Sequence, residues 1–192
     1  MDQPIVLASA SPRRQQLLAE TGLPFSVQVP AVDEDAIDGP SPKELAQQRA
    51  WYKARAVART LDRGLVIGAD TIVVCQGQVL GKPRDPADAR RLLRLLSGRS
   101  HRVITGVCVC QAPEGRAVVG AACTKVTFRP LTPAEIERYV ATGEPMDKAG
   151  AYGIQGRGAL LVERIVGDYF NVVGLPLTLL ARLLKEFGVD ML

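Results

Sequence analysis

With 192 residues the chain has the length of one generous domain, or of two small lobes sharing a core; 47% hydrophobic and 23% charged residues supply that core and exclude wholesale disorder. Its net charge of +4, from 24 basic against 20 acidic residues, is scattered, with Arg13-Arg14 and Arg90-Arg91 as the longest clusters and only 5% aromatics. That argues against the dense, aromatic-studded basic stripe of a nucleic-acid binder and leans towards a small anionic substrate, which needs only a few well-placed cations.

The start, MDQPIVLASASPRR, has no basic segment ahead of its short apolar run and does not read as a signal peptide. No apolar stretch anywhere reaches the roughly 18–20 residues that cross a bilayer. The expectation is a soluble, cytoplasmic protein without a membrane partner. Residues 4–8 (PIVLA) predict a strand buried on both faces. Ser11 then reads as a helix N-cap, Pro12 suits the first helical position, and Gly22 can end the helix. A strand over 25–29 and an acidic loop, Val32-Asp33-Glu34-Asp35, follow.

Three further helices carry one start grammar: Ser41-Pro42-Lys43-Glu44, running to about Thr60; Asp85-Pro86-Ala87-Asp88, stopped by Gly98; and Thr132-Pro133-Ala134-Glu135, stopped by Gly143. Between them, 65–75 predicts a strand that turns at Gln76-Gly77 into Val79-Leu80, and 102–111 with 117–128 a long hairpin. The glycine-dense stretch 148–156 precedes strands expected over 160–165 and 169–173, and 176–187 closes the chain as an amphipathic helix. Helices alternating with isolated strands and hairpins make a mixed-sheet α/β protein. No repeat, low-complexity tract or linker divides it, so residues 1–192 read as a single domain.

Cys75, Cys108, Cys110 and Cys123 lie in apolar, strand-like segments without C-x-x-C spacing, which predicts buried free thiols in a reducing compartment. His101, the one histidine, excludes a histidine-based zinc site and reads as a surface or strand-edge residue.

Four places invite chemistry. The N-terminal turn offers backbone N–H groups at a helix start, the hydroxyls of Ser9 and Ser11 and the guanidinium forks of Arg13 and Arg14, a set that suits phosphate oxygens as well as an ordinary capped helix. It is not a Walker A loop. Asp70 interrupts the apolar run LVIGADTIVVC beside Thr71. A carboxylate there is costly unless it is hydrogen-bonded to a turn, holds a cation or acts as a base. Lys82, pinned in Gly81-Lys82-Pro83, either aims at a phosphate or is solvated. By local pattern alone Lys53 reads as a surface residue and Glu34 as part of a solubilising loop. In the glycine-rich stretch, Gln155 is the one side chain of Gly-Ile-Gln-Gly able to read a donor–acceptor pattern.

Together these segments resemble the Maf family of nucleoside triphosphate pyrophosphatases. The matching pieces are Ser9-Ala10-Ser11-Pro12-Arg13-Arg14, the Glu34 loop, Lys53-Ala54, Gly68-Ala69-Asp70-Thr71, Gly81-Lys82-Pro83, Leu96-Ser97-Gly98, 147–156 and 167–176, in family order over nearly the whole chain. One departure is Asp33 ahead of Glu34, where some members carry two glutamates. The resemblance implies an elongated mixed β-sheet with flanking helices and two lobes around a cleft, similar to inosine triphosphate pyrophosphatases. It implies a divalent cation, Mg²⁺ or Mn²⁺, with Asp70 and Glu34 as ligands and Asp70 as proton acceptor. Ser9, Ser11, Arg14, Lys53 and Lys82 would bind phosphates. Arg13, Thr71 and Gln155 fall where members differ by substrate; this Arg, Thr, Gln combination resembles the branch that hydrolyses dTTP and UTP, modified pyrimidine nucleotides included. The branch preferring 7-methyl-GTP tends instead to a tryptophan after Ser-Pro, a glutamine beside the aspartate and a glutamate in the glycine-rich segment. A homodimer is common among relatives. The alternative is a nucleotide-sensing regulator of septum formation that acts through a protein partner.

Overall fold

Helix α2 (Pro42–Ala58) lies almost in backbone contact with strand β3 (Leu65–Cys75), and small residues on both sides make that approach feasible. Ala46, Ala50, Ala54 and Ala58, one turn apart, are all fully buried. Facing them, Gly68 has no side chain to spare: a Cβ there would run into the Ala50 carbonyl oxygen and stand 2.7 Å from the Ala54 nitrogen. Gly106 meets the Ala46 carbonyl in the same way. The helix starts where the sequence says it should, with the Ser41 hydroxyl accepting from Glu44 N at 3.3 Å and donating to the Glu44 carboxylate at 2.6 Å.

The computed structural model describes residues 3–192. Among these residues the remaining elements are β1 (Ile5–Ala8), α1 (Pro12–Ala19), β2 (Ser26–Val27), β4 (Gln78–Leu80), α3 (Pro86–Leu96), β5 (Ser100–Gln111), β6 (Ala117–Phe128), α4 (Pro133–Val140), β7 (Val162–Val166), α5 (Tyr169–Val173) and α6 (Leu177–Lys185). The sheet is seven-stranded, ordered β2-β1-β3-β5-β6-β7, with β4 pairing off β3. It is mixed: β1 runs parallel to β2 and β3, whereas β3–β4 and β6–β7 are antiparallel. The α/β mixed-sheet expectation is therefore met.

The chain divides into two compact units, each assembled from separated segments. The first comprises the described chain up to Asp70, Thr105–Ala122 and Gly174–Leu192. Its core includes Val6, Ala8, Val66, Cys108 and Cys110 packed against the alanine face of α2. The second comprises Thr71–Ile104 and Cys123–Val173. Its core gathers Leu92, Leu93 and Leu96 of α3, Ile136, Tyr139 and Val140 of α4, and Val73, Val103, Val126 and Phe128 from strands. Among the described residues no helix is long and apolar enough to cross a membrane.

Several local expectations need correction. Residues 169–173 form a helix, not a strand. The sequence Tyr-Phe-Asn-Val-Val favours a strand by propensity, but Asp168 Oδ1 accepts from Phe170 N at 2.8 Å and starts a turn. That turn lets the buried Asn171 amide donate to Val103 O at 3.0 Å and Thr124 Oγ1 at 2.9 Å. Tertiary satisfaction of one amide outweighs the residue preferences. The strand expected over 160–165 starts later, at Val162, because Gly156–Leu161 winds into 3-10 turns. The one over 25–29 shortens to Ser26–Val27.

His101 is neither at the surface nor at an edge. It shares the inward face of β5 with Val103 while Arg102 points out, and its Nε2 meets the Tyr152 hydroxyl at 2.7 Å. Phe128 and Tyr152 pack edge-on against its ring. Burial pushes its pKa down to about 4. Of the four free cysteines, Cys123 is exposed. It alternates on β6 with Lys125, whereas Thr124, Val126 and Phe128 take the buried face.

Candidate functional site

At the N-terminal turn, Ser11 caps α1, its hydroxyl accepting from Arg14 N at 3.5 Å. Ser9 is buried, and its Oγ accepts from Ser11 N at 3.1 Å and from the Arg14 guanidinium at 3.5 Å. Arg14 is further fixed by its Nε, which donates to Gly174 O at 2.8 Å. Gly174 lies 160 positions down the chain, a contact that no local pattern announces. The two hydroxyls and Arg14 thus form one hydrogen-bonded turn rather than separate solvated groups.

Asp70, the last residue of the first unit, is 5% exposed on β3. Lys53 reaches it from α2: Nζ donates to Asp70 Oδ1 at 2.7 Å and lies 2.8 Å from Glu34 Oε1. The surface assignment of Lys53 is thereby overturned. Its side chain is 8% exposed, one position before Ala54, at the closest approach of helix and strand. Glu34 comes in on a single 3-10 turn, Glu34–Ala36, started by the Asp33 carboxylate accepting from Asp35 N at 3.1 Å. The residue that departs from the family pattern thus shapes the turn that delivers Glu34.

The charges of this unit feel one another. Burial holds the Arg14 guanidinium below its ordinary pKa, the Asp70 and Glu34 carboxylates work in the opposite direction, and the like charge of Arg13 adds to the lowering. Ser9, Ser11, Arg13, Arg14, Glu34, Lys53 and Asp70 therefore belong to one neighbourhood, two carboxylates ringed by cations.

The second carboxylate oxygen of Asp70, Oδ2, is buried and has no hydrogen-bond partner among the described residues. An ionised oxygen left so is costly and points to a ligand of opposite charge. Two carboxylates suit a magnesium-like cation, which keeps several waters and takes one or two protein carboxylates together with substrate phosphates. Among the described residues no cluster of three or more His, Cys, Asp or Glu could hold a metal by itself, so a cage built of protein alone is not the fitting description.

Thr71, Lys82 and Gln155 lie in the second unit. Lys82 is exposed in the loop after β4, and that loop is tied to the glycine-rich stretch by Gly150 N donating to Gly81 O at 3.0 Å. Gln155 is half-buried with extended backbone just before the 3-10 turns of Gly156–Leu161. A separate groove of about 590 Å³ in the first unit, walled by Trp51, Tyr52, Arg55 and residues 31–33 and 36–38, includes none of Glu34, Lys53 or Asp70.

Two comparisons relate this chain to known proteins. The family described as Maf-like protein matches residues 4–187. A dTTP/UTP pyrophosphatase of Moorella thermoacetica is 62% identical over 186 residues, covering 97% of this chain and 96% of that protein. Proteins of the same name from Symbiobacterium thermophilum and Dictyoglomus thermophilum are 54% and 50% identical; the first alignment covers 97% of this chain and 95% of that protein, the second all of both.

Proposed function

The chain belongs to the Maf family, and on that premise we propose that it hydrolyses dTTP and UTP to the nucleoside monophosphate and pyrophosphate. The relatives named above carry that activity in their names, which favours turnover over nucleotide sensing. Within the chain, the supporting observation is the buried Asp70 carboxylate, one oxygen on Lys53 and the other without a hydrogen-bond partner among the described residues, set among Glu34, Arg13 and Arg14.

In this reading Asp70 accepts the proton of a water that attacks the α-phosphorus. Lys53 orients Asp70 through its hydrogen bond to Oδ1. Arg13, Arg14 and the hydroxyl turn of Ser9 and Ser11 take up the negative charge of the phosphate tail and of the departing pyrophosphate. Asp70 and Glu34 would hold a divalent cation, Mg²⁺ or Mn²⁺, which when bound supplies charge neutralisation to the phosphate oxygens. The roles of Thr71, Lys82 and Gln155 rest on the family resemblance. Lys82 goes to the phosphates and Gln155 to the base. Uracil and thymine present an N3–H donor beside the O4 acceptor, and one amide meets both. Cytosine inverts the pattern and leaves polar groups unpaired.

The family resemblance is the ground for reading the protein as cytoplasmic and as a homodimer; sedimentation tests the second directly. The test of function is pyrophosphate release from a panel of ordinary and modified nucleoside triphosphates, with and without Mg²⁺. Release from UTP and dTTP, lost on chelation, is expected; turnover of purine nucleotides alone would overturn the substrate assignment.

A further inference from the structure

One tyrosine–glutamate pair grips the backbone on both sides of Gln155. Tyr139, in the last turn of α4, is buried in the core of the second unit. Its hydroxyl donates to Glu144 Oε1 at 3.0 Å and accepts from Gly153 N at 3.3 Å. Glu144, at the start of the 3-10 turn Glu144–Asp147, accepts from Gly158 N at 3.0 Å through Oε1 and from Arg157 N at 3.1 Å through Oε2. Three backbone N–H groups, two residues before Gln155 and two and three after it, are thus held by two touching side chains.

The loop is also closed on itself. Gly158 has no room for a side chain: a Cβ would collide with the Gly153 carbonyl oxygen and lie 2.7 Å from Tyr139 Oη. The base of the clamp is braced in turn, because Lys148 Nζ donates to Glu144 O at 2.6 Å and to Asp147 Oδ1 at 2.7 Å. Burial and the adjacent Glu144 charge raise the pKa of the Tyr139 hydroxyl, so it remains a donor at neutral pH.

A six-residue loop with three glycines would by itself sample many conformations. A base-reading amide discriminates only if it is held within a few tenths of an ångström of one orientation, since a mobile amide adapts to either hydrogen-bond pattern. We propose that Tyr139 and Glu144 are positioning residues for base selection: they touch no substrate, and they fix the backbone that aims Gln155. This rests on the reading of Gln155 as the group that recognises the pyrimidine.

The experiment measures kcat/KM for UTP and CTP in Tyr139→Phe, Glu144→Gln, Gln155→Ala and the double variant Tyr139→Phe/Gln155→Ala, with a thermal melt of each. Tyr139→Phe keeps the ring in the core and removes only the hydroxyl. Its UTP:CTP ratio is expected to fall about fivefold, the loss of one positioned hydrogen bond, mostly through a raised KM for UTP. Glu144→Gln should lower the ratio in the same direction. The double variant should have the ratio of Gln155→Ala alone, because the clamp acts only through that amide. If Gln155→Ala lowers the ratio while folded Tyr139→Phe and Glu144→Gln leave it unchanged, the clamp is merely structural and the proposal is wrong, with the base reading intact. Equal losses on UTP and CTP in the clamp variants overturn it in the same way. An unchanged ratio in Gln155→Ala removes the base reading and the proposal with it. Should Tyr139→Phe not fold, Glu144→Gln decides alone.

Discussion

Lys53 Nζ stands 2.7 Å from Asp70 Oδ1 and 2.8 Å from Glu34 Oε1, a single buried ammonium shared by two carboxylates from different segments of the chain. Its position follows from the alanine face of α2 lying on Gly68, two residues before Asp70 on the same strand. Replacing Asp70 by Asn keeps an acceptor for Lys53 and removes the charge. The fold should survive with a melting temperature near that of the parent, while pyrophosphate release drops by about 10²–10⁴-fold, the usual contribution of a general base. Near-normal turnover would show that Asp70 is neither base nor cation ligand.

Lys53→Met strands the Asp70 carboxylate in the interior without its counter-charge. Removing one partner of a buried pair costs about 3–5 kcal/mol, which should appear as a lower urea midpoint. Adding Asp70→Asn to Lys53→Met should restore most of the loss, since no buried charge then lacks a partner. A double variant no more stable than Lys53→Met would mean that helix packing, not charge pairing, is what Lys53 contributes.

A divalent cation held by Asp70 and Glu34 must stabilise the folded chain by mass action, about 2.7 kcal/mol at a hundredfold excess over its dissociation constant. Mg²⁺ or Mn²⁺ should therefore raise the melting temperature of the parent protein without any nucleotide present. The rise should vanish in Asp70→Asn and shrink in Glu34→Gln. Equal rises in all three would place the cation elsewhere.

His101 supplies a pH signature independent of activity. Its pKa in the fold is about 4, against an ordinary 6.5, because burial disfavours the charged ring. Above pH 6.5 the ring is neutral in both folded and unfolded chains, and its contribution to stability is fully present. Between pH 6.5 and 4 the unfolded chain takes up a proton that the fold refuses, so stability falls across that window, by about 3 kcal/mol in all. His101→Gln should flatten this part of a urea-midpoint series taken from pH 7.5 to 4. Parallel curves would assign the acid lability to other groups.

Gly68→Ala tests the helix–strand contact itself. The added methyl meets backbone on α2, not a side chain that can swing away, so α2 must shift and Lys53 with it. Overpacking of this kind costs about 1–3 kcal/mol or more, and activity should fall further than the melting temperature alone accounts for. An active, fully stable Gly68→Ala protein would refute the tight approach.

Much of this fold is legible in the sequence. Ser11, Ser41, Asp85 and Thr132, each followed by proline, start helices as the N-cap rules require; Thr132 and Glu135 complete the reciprocal capping box, with Arg129 and Thr132 holding the Glu135 carboxyl down at about 2. Asp70 stands out because a carboxylate in an apolar strand demands a partner. Lys53 does not, since a lysine in a helix is usually solvated. The readable signal is its company, alanines at 46, 50, 54 and 58, which mark a helix face pressed onto a sheet. His101 and Cys123 are misread when strand parity is ignored: period-2 alternation through Val103 and through Val126 assigns one inward and the other outward. Helix α5 cannot be read locally, because the Asn171 amide that dictates it finds its partners on β5 and β6. Gly174, which holds Arg14, is equally remote in sequence.

The interleaving of the two units bears on how the chain responds to cleavage. The first unit draws on the beginning, the middle and the last nineteen residues of the chain, from Gly174 onward, and the second is threaded between those pieces. No single proteolytic cut can release either one whole. The turn that holds Arg14 depends on Gly174, from the third of those segments, so cleavage ahead of Gly174 would cost Arg14 its anchor even with the N-terminal segment intact.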